Sequence, residues 1–483
     1  AIIVHCPLYS CQRQRRWQQL LDLDLEQGLL LLSKTMRVSH SFCILLLHFA
    51  QFRIALAFSA GKDVSKLSEK MKGIDAAGFL GEPFLESRRS NVASFKVMDV
   101  LARATELESQ GRKIYHLEVG QPSSGAPSKV VAAATAALSQ DRIGYTHALG
   151  ISPLRKRISQ HYKDKYGVDV DPERIIVTTG SSAGFLIAFL AAFDAGDSVA
   201  LCSAGYPCYR NILNALGCEV TTVPINAESK VTQKELKEVV DAGKKPRGLI
   251  LSSPSNPTGA MLSPEELRGL CEYCEQEGIL FISDEIYHGI SFGKEEETAL
   301  KFSDKCMVIN SFSKYYSMTG WRLGWMVMPP GLVDAGNRLA QNLYINAPTL
   351  SQLAAVEAFD CEPELEAHVA RYAENRRVVL AALDDMGVTS RAPSDGAFYV
   401  YADVGRFTRD AEGLCRRALE EAGVAFTPGT DFEDPTGPVG GSRVRFSFCG
   451  STRDVREGME ALTQWWLKEF EELLSTVQKE LSD

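Results

Sequence analysis

The sequence predicts an α/β fold in which helices cover a mostly parallel sheet, followed by a smaller α+β domain. Between residues 174 and 327, short apolar segments alternate with helical ones, as is typical of parallel strands joined by helical crossovers. Strands are predicted at residues 174–178, 198–202, 219–223, 248–252, 279–283, 307–310 and 322–327. Residues 332–377 are helix-rich, and two further strands at 396–404 and 442–448 lie among helices in the smaller domain.

Composition describes an ordinary globular protein. Of its 483 residues, 45% are hydrophobic and 23% are charged. The net charge of −9 argues against general nucleic-acid binding, which requires a basic surface. The 12 cysteines are scattered through apolar segments, which indicates reduced thiols in an intracellular compartment. Cys271 and Cys274 lie in a helical pattern without further ligands nearby, so no metal site is expected.

The first 85 residues differ from the rest and are expected to form an extension outside the fold. Met36 is a candidate start, because a short basic region and a partly apolar run follow it. Residues 36–85 are a candidate plastid or mitochondrial presequence, and a disordered extension or an error in the gene model is the alternative. The run is too polar for a transmembrane helix, so no membrane association is expected of the mature protein. The expected compartment is the cytoplasm or an organelle.

Helices and loops complete the prediction before and between the strands. Helices are predicted at residues 94–109, 128–139, 152–166, 184–193 and 263–276, and a short strand at 114–119. The helix at 263–276 has the clearest start, since Ser263 is a capping residue, Pro264 suits the first turn and Glu266 completes a capping box. A Gly- and Pro-rich loop begins at Gly120.

One lysine in a run of small hydroxyl residues is the first candidate for chemistry. Lys314 lies in the segment Ser-Phe-Ser-Lys-Tyr-Tyr-Ser, and Arg322 follows eight positions later. A lysine amine becomes a useful nucleophile when it forms a Schiff base with a carbonyl cofactor. Ser311, Ser313 and Arg322 offer donors for a nearby phosphate, which an arginine fork binds bidentately. Together these features suggest pyridoxal phosphate, although a lysine considered alone is more often simply solvated.

Other polar residues follow predicted strands, at the sheet edge where open α/β folds bind ligands. Thr178-Thr-Gly-Ser-Ser-Ala183 opens an apolar helix, whose free N–H groups suit a phosphate. Asn256 lies in an Asn-Pro-Thr-Gly turn and can donate to a ring oxygen. Asp284 can keep a pyridinium nitrogen protonated, and Tyr287 can reach a phenolate oxygen. Each also has an ordinary alternative as a helix cap, a turn residue or a solvated strand end.

Five of these residues occur in the order and spacing of a known active site. Asn256, Asp284, Tyr287, Lys314 and Arg322 are separated by 28, 3, 27 and 8 residues, within the segments SNPTG, SDEIY and SFSKYYSMTGWRLGW. The chain thus resembles the class I/II aminotransferases, pyridoxal-phosphate enzymes of the aspartate aminotransferase type (fold type I). The resemblance covers about residues 90–474. It implies an N-terminal arm and part of the small domain at 86–124, a large cofactor-binding domain at 125–340, and a connector helix with the C-terminal small domain at 341–483.

The resemblance implies a role for each candidate. Lys314 would form the Schiff base and carry a proton between the substrate and the cofactor, while Asp284 would pair with the ring nitrogen. Asn256 and Tyr287 would bond to the ring oxygen. The phosphate-binding candidates are Ser181, Ser182, Ser311 and Arg322. Tyr206 occupies the ring-stacking position and joins Lys314 and Asp284 as a candidate catalytic residue, although a plain turn aromatic is its alternative.

The resemblance also implies a carboxylate-binding site and a partner subunit. Arg443 and Arg445 alternate on a predicted strand, and the pattern favours Arg445 as the ligand of the substrate α-carboxylate, with Arg443 as the alternative. Gly120 fits a backbone contact to the same carboxylate, and the segment 396–399 is expected near the substrate, with plain core packing as the alternative. Tyr145 matches a tyrosine that reaches the phosphate of the neighbouring subunit, which implies a homodimer with shared active sites.

The implied activity is ping-pong transfer of an amino group from an L-amino acid to a 2-oxo acid. A carbon–sulfur β-lyase on the same fold is an alternative, because these enzymes share the cofactor residues. A transcriptional regulator is less favoured, since residues 1–85 show no convincing helix-turn-helix, and a structural relic is disfavoured because no expected cofactor position is missing. The substrate stays open between aspartate, aromatic, alanine and broad neutral amino acids.

Overall fold

The computed structural model describes residues 86–141, 143–434 and 437–471. They belong to one compact unit that begins at Glu86. The extension predicted over residues 1–85, including its candidate presequence, lies outside the described residues. Among the helices of the described ranges, none is both long and apolar enough to cross a lipid bilayer.

Helices and strands are numbered here in chain order. The helices are α1 (Lys96–Ser109), α2 (Ser128–Ser139), α3 (Ser152–Tyr166), α4 (Gly180–Ala192), α5 (Pro207–Leu216), α6 (Gln233–Asp241), α7 (Pro264–Glu277), α8 (Val333–Tyr344), α9 (Thr349–Ala355), α10 (Glu362–Asp385), α11 (Ala411–Arg417) and α12 (Thr452–Glu469). The strands are β1 (Tyr115–His116), β2 (Ile175–Thr178), β3 (Ser198–Cys202), β4 (Glu219–Val223), β5 (Gly248–Ser252), β6 (Leu280–Asp284), β7 (Met307–Ser311), β8 (Gly324–Val327), β9 (Tyr399–Asp403), β10 (Val424–Ala425), β11 (Thr427–Pro428) and β12 (Arg443–Ser447).

A seven-stranded sheet forms the centre of the larger part of the molecule. Its strand order is β2-β8-β7-β6-β5-β3-β4. Neighbouring strands run parallel except around β8, which is antiparallel to both β2 and β7. Every residue of β2, β7 and β8 is buried, as expected when helices cover both faces of a sheet. The predicted α/β class with a mostly parallel sheet is therefore confirmed.

The smaller part combines short antiparallel strands with two long helices. β11, β12 and β9 form an antiparallel three-stranded sheet, and β1 pairs in parallel with β10. Helix α10 packs against both α12 and β9. Their common core is rich in large side chains, among them Phe398, Phe446 and Trp466. This arrangement confirms the smaller α+β part of the predicted fold.

Helix α7 shows how local sequence sets an element's limits. The Ser263 hydroxyl accepts a hydrogen bond from the backbone N–H of Glu266, whose carboxylate accepts from the Ser263 N–H, which completes the predicted capping box. Gly278 ends the helix in the left-handed conformation that glycine adopts without strain. The predicted helix at 263–276 is observed one residue later.

Several predicted elements have different limits in the structure. Two predicted strands are shorter, one because a side chain replaces a ladder bond and one because the backbone leaves the extended conformation. The strand predicted at 114–119 pairs only over Tyr115–His116, and the carbonyl of Glu118 bonds instead to the Arg445 side chain. The strand predicted at 322–327 begins at Gly324, because Arg322 has a positive φ of 52° after a 3₁₀ turn. Helix α4 starts four residues earlier than the predicted 184–193.

Candidate active site

Three neighbouring strands bring the predicted residues to one edge of the large sheet. β5, β6 and β7 lie side by side and run parallel, with Ser252 opposite Asp284. Asn256 follows β5, Asp284 ends β6 and Lys314 follows β7. Because the carboxyl ends of parallel strands meet at one edge, strand pairing gathers side chains that are far apart in sequence.

Lys314 lies in the interior of this edge. Its Nζ donates a hydrogen bond to the carbonyl oxygen of Gly120 at 2.6 Å. Burial lowers the pKa of Lys314 to about 8, and the positive charges of Arg445 and Arg322 act in the same direction. A lowered pKa leaves much of the amine neutral in weakly alkaline solution, which is the form that a nucleophile or general base requires.

Asp284 is 1% exposed and has a phenol as its main partner. The Tyr209 hydroxyl donates a hydrogen bond to one carboxylate oxygen, and the Ile286 N–H donates to the other at 3.1 Å. Burial raises the pKa of Asp284 to about 7, while the two hydrogen bonds and the charge of Lys314 oppose that rise. A cationic partner in the cleft would favour the carboxylate form.

Arg445 on β12 orients the amide of Asn256. Its Nη1 donates to Oδ1 of Asn256 at 2.8 Å. Because a guanidinium can only donate, the amide oxygen must face it, and the NH₂ group of Asn256 remains for another acceptor. Asn256 is itself buried, with 6% of its surface exposed.

The Arg445 guanidinium is buried without an acidic partner. It donates to the carbonyl oxygen of Glu118 at 2.6 Å and lies between the rings of Tyr399 and Phe432, 4.3 and 4.4 Å from their centroids. Its Nε has no hydrogen-bond partner. In the part of the chain that the structure describes, Arg445 forms no salt bridge with an Asp or Glu side chain. Since a buried cation normally requires pairing, this site is suited to a carboxylate from outside the chain.

Arg443, the alternative carboxylate ligand, has a different environment. Its Nη1 lies 3.1 Å from the carboxylate of Asp403, which faces it in the β9–β12 register. Its side chain is 29% exposed. Arg443 is thus already paired near the surface, whereas Arg445 is not.

Tyr287 is buried at the same site and pairs with a second tyrosine. Its hydroxyl lies 2.8 Å from that of Tyr399, and either can be the donor. Burial raises the pKa of Tyr287 well above its ordinary value. The phenol therefore keeps its proton at physiological pH and can donate it.

The phosphate-binding candidates meet at the N-terminus of α4. Ser181 and Ser182 lie in its first turn, and the Arg322 guanidinium lies so close to Gly180 that a Cβ atom there would collide with it. Gly180 also has a positive φ of 71°. The Ser311 hydroxyl lies 3.0 Å from that of Ser313. Free N–H groups, hydroxyls and a guanidinium form a set of donors typical of a phosphate site.

Two predicted tyrosines lie in different surroundings. Tyr206 precedes α5 and lines a cleft together with Asn256, Tyr209 and Phe432. Tyr145 is 84% exposed and makes no contact with the other candidates that the structure records. Such exposure makes the Tyr145 side chain accessible to a neighbouring subunit.

Sequence reasoning missed several residues of the site. Tyr209 lies three residues after Tyr206, at the spacing that brings helix side chains to one face, and this was an available signal. Tyr399 belongs to a segment expected near the substrate, but its bond to Tyr287 was not predicted. Phe432 and Glu118 carry no local signal, because they reach Arg445 only through the tertiary fold.

Comparisons with known proteins agree with this geometry. The family model for aminotransferase class I and II matches residues 112–462. A valine–pyruvate aminotransferase of Mycobacterium tuberculosis is 46% identical over 78% of this chain and 97% of its own length. A (5-formylfuran-3-yl)methyl phosphate transaminase of Methanocaldococcus jannaschii is 36% identical over 79% of this chain and 99% of its own. The crystal structure of an aminotransferase from Mycobacterium tuberculosis superimposes with a TM-score of 0.77, at 44% identity over 80% of this chain and all of that one.

These relatives decide between the two activities that the sequence left open. They are named for amino-group transfer, and the alternative of a carbon–sulfur lyase is not favoured. The family model covers well over half of the chain. This protein is therefore an enzyme that transfers amino groups, and it belongs to the class I and II aminotransferase family.

Proposed function

We propose that the enzyme uses pyridoxal 5′-phosphate on Lys314 to transfer the amino group of a neutral L-amino acid, such as L-valine, to pyruvate. The observation that carries this proposal is a buried lysine with a lowered pKa, whose electrostatic surroundings include two groups of opposite charge. One is the buried carboxylate of Asp284, and the other is the unpaired guanidinium of Arg445.

The residues present fit the cofactor. Asp284 offers a carboxylate to a ring nitrogen, and Asn256 has an NH₂ group free for a ring oxygen because Arg445 takes its carbonyl. The start of α4 and Arg322 offer donors for the phosphate. When bound, pyridoxal phosphate supplies an electron sink that stabilises negative charge at the substrate α-carbon.

The chain's own residues then bind the substrate and move its proton. Arg445 holds the α-carboxylate, and its two aromatic neighbours keep water away from the guanidinium. Lys314 Nζ accepts the α-proton of the amino acid as general base in the first half-reaction. In the second half-reaction it returns a proton to the α-carbon derived from the 2-oxo acid. Asp284 keeps its negative charge beside the ring nitrogen, with Tyr209 donating to it.

A neutral substrate side chain is favoured by the cleft beside Tyr206. Its walls include Ala93, Phe432, the acidic residues Asp431 and Glu433, and the cationic residues Lys96 and Arg210. Burial raises the pKa of both Asp431 and Glu433. Both cations already have acidic partners, since Lys96 pairs with Glu412 and Arg210 lies 3.8 Å from Asp434. A second substrate carboxylate would have to compete with these partners, and the relative named valine–pyruvate aminotransferase agrees with a preference for a neutral side chain.

A homodimer with shared sites completes the proposal. Ile143, Tyr145, Leu343 and Ile345 are between 40% and 84% exposed. Their two segments are adjacent, since the hydroxyl of Thr349 donates to the carbonyl of Gly144 at 2.6 Å. Such a cluster of exposed apolar side chains is typical of a protein interface, and Tyr145 would then reach the partner's phosphate site.

The visible absorbance spectrum tests the proposal directly. Protein reconstituted with pyridoxal phosphate should show a visible band that L-valine bleaches and pyruvate restores. Lys314→Ala should still fold and bind the cofactor but lose essentially all turnover. Absence of a bound chromophore, or transamination that survives in the Lys314→Ala protein, would refute the assignment of Lys314. Bleaching by L-aspartate but not by L-valine would refute the neutral substrate.

A further inference from the structure

Tyr399 connects parts of the site that have no link in the sequence. It lies on β9 and is 2% exposed. Its hydroxyl lies 2.8 Å from that of Tyr287, and its ring lies 4.3 Å from Cζ of Arg445. The hydroxyl also fills the space that a Cβ atom would need at Gly120, the residue whose carbonyl binds Lys314. One side chain thus contacts a ring-oxygen donor, the carboxylate ligand and the lysine's partner.

The hydroxyls of Tyr287 and Tyr399 can arrange their protons in two ways. In the described residues, the Tyr287 hydroxyl has no hydrogen-bond partner except Tyr399. If Tyr399 donates to Tyr287, the proton of Tyr287 is free for an acceptor in the cleft; in the reverse arrangement Tyr287 can only accept. An anionic ring oxygen favours the first arrangement, because it needs a donor. The hydrogen bond from Tyr399 to Tyr287 then polarises the Tyr287 hydroxyl and strengthens the bond that Tyr287 donates to the ring oxygen.

The ring of Tyr399 has a separate task. With Phe432 it encloses the Arg445 guanidinium from two sides. A guanidinium between aromatic faces is held by cation–π attraction, which occupies none of its N–H donors. Together with its hydrogen bonds to Asn256 and the Glu118 carbonyl, this contact holds Arg445 in place although the described residues provide no carboxylate for it.

Resting on the function proposed above, we propose that Tyr399 is a positioning residue with two separable parts. Its hydroxyl directs the Tyr287 proton towards the ring oxygen of the cofactor. Its ring, together with that of Phe432, aims the Arg445 guanidinium at the substrate carboxylate.

Two substitutions separate the parts. Tyr399→Phe keeps the ring and removes the hydroxyl. The pH midpoint of the bound cofactor's visible absorbance change should then rise by roughly half a unit to one unit, because the oxygen anion loses support. Affinity for an unreactive carboxylate such as 3-methylbutanoate should change less than about twofold. Tyr399→Leu removes both parts, so it should shift the midpoint as Tyr399→Phe does and should also lower carboxylate affinity roughly five- to thirtyfold.

Tyr401→Phe is the matched control. It removes a buried hydroxyl from the same strand, but one that bonds to Glu433 at 2.9 Å rather than to Tyr287, so the midpoint should not change. An unchanged midpoint in Tyr399→Phe, or an equal shift in Tyr401→Phe, would overturn the hydroxyl's role. Unchanged carboxylate affinity in Tyr399→Leu would overturn the ring's role. Failure of the wild-type protein to bind pyridoxal phosphate would refute the proposed function itself, and this inference with it.

Discussion

Removal of the Tyr209 hydroxyl provides a sharp test of how Asp284 is kept charged. Tyr209 donates to Asp284, whose pKa burial has already raised to about 7. A hydrogen bond to a charged group contributes roughly 1.5–3 kcal/mol, or about one to two pH units. Tyr209→Phe should therefore move the pKa of Asp284 to roughly 8–9. At pH 7.5 its ionised fraction would fall from about three quarters to about a tenth.

Cofactor binding measures this change. Since a neutral carboxyl cannot pair with a cationic ring nitrogen, we expect pyridoxal-phosphate affinity at pH 7.5 to fall roughly tenfold in Tyr209→Phe. The pH at which affinity is half-maximal should rise by one to two units. Equilibrium titrations of the apo-protein between about pH 6 and 10 give both values.

A second buried phenol serves as the control for that experiment. The Tyr162 hydroxyl accepts from Trp325 Nε1 at 3.1 Å, in a different hydrophobic core from Tyr209. Tyr162→Phe should cost a similar amount of stability without moving the binding midpoint. An unchanged midpoint in Tyr209→Phe, or the same shift in Tyr162→Phe, would refute the electrostatic argument.

Three further predictions follow from other parts of the structure. Arg445→Lys should raise KM for both substrates roughly a hundredfold, because bidentate recognition of the carboxylate is lost. Arg443→Lys should change KM less than about threefold. Equal effects of the two substitutions in steady-state kinetics would contradict the assignment of Arg445. Glu285 is buried, which raises its pKa from 4.5 to about 8; the folded apo-protein thus holds this proton more tightly than the unfolded chain, and stability falls as pH rises through that range. Glu285→Gln should flatten the decline of Tm between about pH 5 and 9 in calorimetry, and an identical decline would be evidence against it. Leu343→Asp should convert the dimer to a monomer in light scattering. Leu467→Asp, at a similarly exposed site outside the proposed interface, should leave the dimer intact. A dimer in both variants would refute the proposed interface.

Much of the fold was predictable because it is written in local periodicity. Strands β3, β4 and β5 were predicted with the limits that the structure has. The start of α7 was predicted from its capping residues. Limits were missed where side chains replaced ladder bonds, as at Glu118, or where the backbone left the extended region, as at Arg322. These events depend on partners that are distant in sequence.

The sequence by itself determined the family, and it predicted the reactive lysine and the residues expected to surround the cofactor. It could do so because those residues lie in short segments whose order and spacing are specific. Only the tertiary structure distinguished Arg445, unpaired between two rings, from Arg443, which the strand register places opposite Asp403. It alone joined Tyr399 to Tyr287, 112 positions apart. Such pairings depend on which strands become neighbours, and no local pattern of side chains encodes that choice.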